Sequence, residues 1–417
     1  MKKTIVICVS VLILLTIAAV CSILVYLGKD EPPPNDADLR LARLNIPDEE
    51  NAFTYFDLAS NALSYSDADR EKTDSMLEGD EWDAEFVEEL LSTNKEMFDF
   101  LAKGMACTEI QIPQIMNAYT QLPYLSPWRR IATLSKVRGL HLSKDGREKE
   151  AFEEALRIVE FGQMIERSRG VLIHHLVGIA VKKLGLNALR EMLADTTLDE
   201  ETLRGHIETL AGLMADEGAL ANALRMEYSV SAGTVDSVAD GTMETGFGFS
   251  GRLLCLTLKP NKTKRMFAAQ FRLLIDGTGK TLKEYTQEVS PRLAKASADE
   301  YDSKVALLLS GNMGGITLYR ILMPAFGGLT KVKCQENVSV AGTRLLIALK
   351  CYKMRTGKLP RTLDALVPDY IDKIPADDFD GEPMRYSREK KLIYSVGENL
   401  QDDGGDAEKD IIVEIEF

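Results

Sequence analysis

Residues 342–405, "GTRLLIALKCYKMRTGKLPRTLDALVPDYIDKIPADDFDGEPMRYSREKKLIYSVGENLQDDGG", hold the pattern from which the architecture is read. Val338, Ala341, Leu345, Ala348, Leu349 and Tyr352 recur at three- and four-residue steps, while Arg344, Lys350 and Lys353 fall elsewhere. That spacing predicts an amphipathic helix with one buried face. Gly357 ends it and Pro360 prevents a restart in register. Thr362 is placed to cap a short helical segment over 363–367, which Pro368 closes. Segments 384–386 and 392–395 flank the polar run 387–391 as the arms of a hairpin. Ile411, Val413, Ile415 and Phe417 alternate with Glu414 and Glu416, as in a half-buried last strand.

The order of helix, "GKLPRTLDALVPDYI", "PADDFDGEPMRY", "IYSVG" and an Asp/Gly-rich turn resembles the C-terminal globular part of the major pseudopilins of type II secretion systems. The resemblance covers residues 338–417 and implies a small α+β domain. The corresponding loop of that family is a calcium site, so the resemblance also implies a structural calcium ion here. Asp402, Asp403, Asp406 and Asp410 are the expected ligands, with Asn399 adding an oxygen. Read without the family, clustered carboxylates between Gly397, Gly404 and Gly405 suit a hard cation that takes six to eight oxygens. A plain solvated acidic turn is the alternative. The chain departs from the family at its start: residues 1–27 lack the Gly-Phe-Thr-Leu-x-Glu type processing site, and residues 28–337 intervene. A filament subunit is therefore not implied.

Residues 5–27 carry no charge, and that length spans a bilayer. Lys2 and Lys3 precede them, so the positive-inside bias expects a single-pass anchor in the inner (cytoplasmic) membrane, N-terminus cytoplasmic and the bulk periplasmic. A cleaved signal is the competing reading, with a usual apolar core of only about 7–15 residues, and lipidation at Cys21 is a third. Residues 29–38, with Pro32, Pro33 and Pro34, read as a stiff polar spacer that lifts the ectodomain off the membrane, at the start of a linker over 29–50.

From 51 to 330 the apolar spacing is helical in segment after segment. Lys144, Asp145 and Gly146 make the turn of a helical hairpin; no period near 34 residues marks a repeat array. An irregular bundle or solenoid-like ectodomain is expected, with a flexible insert at 230–251 and a buried helix within 305–326. The fold class is thus mainly α: anchor 1–28, linker 29–50, helical ectodomain 51–330 and pseudopilin-like α+β domain 331–417.

With 45% hydrophobic and 27% charged residues the chain has an ordinary globular composition. Its net charge of −14, with no basic stripe, argues against nucleic acid. His174 and His175 are adjacent and point about 100° apart on a helix, so they do not grip one metal. The run 248–251, "GFSG", falls one residue short of a nucleophile elbow. No Cys-x-x-Cys spacing occurs; Cys334 and Cys351 are the nearest pair outside the anchor. No catalytic residue is assigned. Three readings follow: a non-enzymatic structural or interaction protein of the bacterial envelope, bound to the membrane through residues 5–27; a component of a type II secretion-like apparatus; and an extracytoplasmic hydrolase whose site converges only in three dimensions.

Overall fold

The computed structural model describes residues 29–242, 257–296, 310–326 and 328–417, with Thr16 and Leu307. The expected anchor and the "GFSG" run therefore lie outside the described residues, Thr16 and Gly251's downstream neighbours from 257 apart. Among the described residues, no helix is long and apolar enough to cross a membrane.

The protein is mainly helical, with a small three-stranded sheet at its C-terminal end. The order begins α1 (Ala52–Ala62), α2 (Asp67–Leu77), α3 (Ala84–Thr93) and α4 (Lys95–Met105). It continues with α5 (Leu125–Lys144), α6 (Glu148–Arg167), α7 (Leu172–Leu193), α8 (Glu200–Ala211) and α9 (Glu217–Ala239). Next come α10 (Pro260–Asp276), a short helical stretch from Leu282, α11 (Met313–Leu322) and α12 (Leu329–Thr356). Strands β1 (Arg385–Ser387), β2 (Leu392–Ser395) and β3 (Ile411–Glu414) form an antiparallel meander in that order.

The α5–α6 hairpin forms at the expected turn, where Gly146 takes φ +76°. Its second arm packs on α7 along a seam of small residues. A Cβ placed on Gly178 would lie 2.6 Å from both the Gly162 carbonyl oxygen and Glu166 Cγ, and one on Gly185 would lie 2.6 Å from the Ala155 carbonyl oxygen. Only glycine lets the two backbones approach this far. Gly178→Ala is expected to force the helices apart at a cost of about 1–3 kcal/mol, read by denaturant unfolding.

Helix α12 ends as the sequence dictates, with Gly357 at φ +76° and its N–H on the Lys353 carbonyl. The expectation of one buried face is overturned: Val340, Gly342, Leu346 and Ile347 are buried as well as Val338, Ala341 and Leu345. Helices α7 and α8 cover one side and the sheet covers the other, so both faces are buried along the middle of the helix. Its polar side chains are placed accordingly: Lys350 donates to the Ala194 carbonyl at the end of α7 (2.8 Å), and Arg344 to the Ile207 carbonyl (3.3 Å). One hydrophobic cluster thus runs from Ala151 on α6 through Leu203 on α8 to Val413 on β3. The Thr362 side chain makes no cap bond to the Leu363–Leu366 turn.

The loop at 377–380 is pinned by Asp377, which is fully buried. Its carboxylate accepts from the Phe379 amide (3.0 Å), Ser395 Oγ (2.8 Å), the Val396 amide (2.9 Å) and Arg385 Nη1 (2.7 Å). Four donors compensate for the burial.

Two further expectations change, and one open pairing is decided. Residues 230–239 of the expected flexible insert are the last turns of α9, with Val230, Ala232, Val235 and Val238 buried. Low-propensity Ser231, Gly233 and Thr234 stay helical because the 116–118 loop packs on them: the Ala118 amide donates to Thr234 Oγ1 (3.2 Å). Residues 243–256 lie outside the described residues. The spacer is no free stalk: Leu39 is buried between α9 and α10, Tyr228 donates to Asp36 (2.6 Å), and Arg272 pairs with Asp38 (2.7 Å). Cys334 and Cys351 cannot pair, since they lie 17 residues apart on one helix, roughly 25 Å at 1.5 Å per residue.

Candidate functional site

The acidic turn is the site the sequence singles out, and its carboxylates are engaged one by one. Asp402 accepts from Tyr394 Oη (3.1 Å) and the Gly404 amide (3.0 Å). Asp403 accepts from Asn399 Nδ2 (2.7 Å) and Lys409 Nζ (3.2 Å), contacts that hold its carboxyl below the usual range. Asp406 accepts from the Glu408 amide (3.1 Å) and lies 3.9 Å from Lys409. Asp410 is buried, and its Oδ2 accepts from the amides of Gly405 (2.7 Å) and Asp406 (3.1 Å) while Oδ1 has no partner. Among the described residues no three His, Cys, Asp or Glu side chains are placed as ligands of one ion. In this arrangement Lys409 supplies the positive charge that a cation would bring.

A second cluster was not assigned from the sequence. Lys182 Nζ lies 2.9 Å from Glu166 Oε2 and 2.5 Å from Glu336 Oε1, and all three side chains are at most 1% exposed. They come from α7, α6 and α12, so the network ties the C-terminal helix to the hairpin. Burial and the neighbouring Glu336 charge push the Glu166 carboxyl well above its ordinary value, with Lys182 opposing. Burial also raises Glu336, again against Lys182. Both carboxyls are raised together, so the pair takes up a proton more readily than an isolated glutamate does. Gln163 on α6 and His175 on α7 are buried nearby along the same seam, without hydrogen-bond partners. The signal in the sequence was Lys182 and Lys183 inside the otherwise apolar run 176–186: a helix apolar all round is buried, and a lysine within it needs anionic partners.

The histidines are core groups. His174 Nε2 pairs with Tyr124 Oη (3.0 Å) within the aromatic cluster of Trp128, Phe53 and Phe161. Burial lowers its pKa to about 4, and burial with the Lys182 charge does the same to His175. His206 stacks on Phe152 at 5.6 Å.

An open recess of about 320 Å³ lies where residues 40–43, the 111–116 loop and α9 meet. Gly233 forms part of its wall because the Met116 carbonyl sits where a Cβ would be. Arg40, Arg43 and Arg169 line it, and Met226 adds an apolar surface. Arg169 takes φ +56°, a conformation an arginine adopts rarely, and donates to the Ala42 carbonyl (2.9 Å). Met116 lines the recess and is 61% exposed; Tyr119, three residues on, is 62% exposed. The sequence offered little sign of it, since its parts come from segments up to 196 positions apart, from Arg40 to Asp236. No family model matches the chain, and no curated protein and no solved structure matches it.

Proposed function

We propose that this chain is a membrane-anchored, extracytoplasmic interaction protein of the bacterial envelope, held by residues 5–27 and closed at its far end by a pseudopilin-like module. The observation that carries the interaction role is Met116, standing more than half exposed on the wall of the recess, with the equally exposed Tyr119 three residues further along the same loop. Apolar anchors beside a concave, partly polar surface are what protein partners bury first. The Lys182 network supports the same reading, since its charges are spent inside the core on joining α6, α7 and α12. The anchor is supported by the uncharged run at 5–27 behind Lys2 and Lys3.

Fractionation tests the placement. The full chain is expected in the membrane pellet after a carbonate wash, and its ectodomain is expected to be cleaved by protease added to spheroplasts but not to intact cells. A soluble chain, or one protected in spheroplasts, contradicts the proposal.

A structural calcium ion on Asp402, Asp403, Asp406 and Asp410 is the second part of the proposal. The buried, unpartnered Oδ1 of Asp410 supports it, and it requires Lys409 to leave Asp403 and Asp406. Asp410→Ala also strands the Gly405 and Asp406 amides, which is expected to cost about 1–3 kcal/mol even in chelator. With calcium bound, the wild-type melting temperature is expected to rise with added ion and the Asp410→Ala value to stay fixed. Equal melting of the wild type with and without calcium would leave the turn to its amides and Lys409.

A further inference from the structure

We infer that the recess between residues 40–43, the 111–116 loop and α9 receives an extended protein segment carrying an acidic side chain flanked by apolar ones. The inference rests on the interaction role proposed above and adds the chemistry of the partner.

Charge complementarity carries it. The chain has a net charge of −14, yet three arginines converge here. The carboxylates close to them are already matched: Asp36 pairs with Arg40 (2.8 Å) and Asp236 with Lys264 (2.5 Å). Arg43 is exposed and has no ion pair or hydrogen bond among the described residues, and Arg169 uses one guanidinium nitrogen on the Ala42 carbonyl. The local surplus is therefore positive on an acidic protein. Guanidinium groups match carboxylates through paired N–H donors, which makes an acidic side chain the fitting ligand. The Gln114 side chain is exposed alongside and offers an amide donor. Met116 and Met226 supply adaptable apolar surface for the flanking residues, and the exposed Tyr119 lies three residues beyond Met116. The long-range field of the acidic body repels such a segment, so recognition depends on close contact and strengthens, on the association side, when salt screens that field.

The test uses the purified full chain in detergent and a phage-displayed library of random peptides as probe. Selected peptides are expected to carry Asp or Glu between apolar residues and to lose about tenfold or more in affinity on Arg43→Glu and Arg169→Gln, but not on Arg361→Glu. Tight binders without carboxylates, weakened by Met116→Ser and indifferent to Arg43→Glu, would overturn the acidic specificity while leaving the docking role intact. Binders that ignore all of these substitutions, or none at all, would remove both. Cosedimentation with phosphatidylglycerol vesicles lost in the same arginine variants would assign the recess to lipid headgroups, and an Arg43-dependent dimer in light scattering would assign it to a second copy; either overturns the inference.

Discussion

Replacing Lys182 by Met is expected to cost the fold about 3–5 kcal/mol, because it leaves the buried Glu166–Glu336 pair without its cation. The ammonium is the shared partner of Glu166 (2.9 Å) and Glu336 (2.5 Å), and none of the three side chains is more than 1% exposed. The loss measures the stranded anion more than the worth of the pair. Adding Glu336→Gln to Lys182→Met is therefore expected to recover a large part of it, since the remaining Glu166 can stay protonated. Denaturant unfolding of the two single variants and the double variant reads the coupling directly. A single-variant loss under about 1 kcal/mol would mean that the three groups are solvated together, as surface pairs are.

The second large effect is a loss of stability in mild acid. His174 and His175 have pKa values lowered from 6.5 to about 4 in the folded chain, mainly by burial. The unfolded chain therefore binds protons from about pH 6.5 downward that the folded chain refuses. Stability is full above pH 6.5 and is lost as the pH falls toward 4, by roughly 3 kcal/mol for each ring. Glu166 acts in the opposite sense. Its carboxyl is raised, so its contribution is full below the ordinary glutamate value and is lost as the pH rises through the folded one. Between about pH 4.5 and 6.5 the two rings are expected to outweigh the single proton. Glu166→Gln removes the opposing term and should steepen the acid loss; His175→Gln should shallow it. Unfolding free energies at pH 7.5, 6.5, 5.5 and 4.5 decide the matter, and a wild-type curve that is flat across this window would contradict the burial of the rings.

What was legible in the sequence followed short-range physics. The Gly357 stop, the β1–β2 hairpin and the Gly146 turn depend on a few adjacent residues, and each stands as expected. Asn94 shows the limit: at the junction of α3 and α4 its side-chain amide bonds Ser64, thirty residues earlier, and Leu90. Helix periodicity gave α12 one buried face because it cannot see that a sheet from later in the chain covers the other. The loss of apolar spacing at 230–239 hid a helix stabilised by a loop more than a hundred residues earlier. Lys182, Glu166 and Glu336 were not assigned as a group because their partners are set by helix packing across 154 positions. The recess was invisible for the same reason. Its arginines are ordinary in isolation, and the backbone that gathers them includes residues 40–43 of the expected linker.

The most direct test of the interaction role is photo-cross-linking in intact cells, with a photoreactive phenylalanine replacing Tyr119 in the full-length chain. A discrete adduct that is lost when Arg43→Glu is added, and that is missing when the same group replaces the exposed Met354 on α12, is the expected result. An adduct indifferent to Arg43→Glu, or no adduct from Tyr119 in folded, membrane-located protein, would contradict the account.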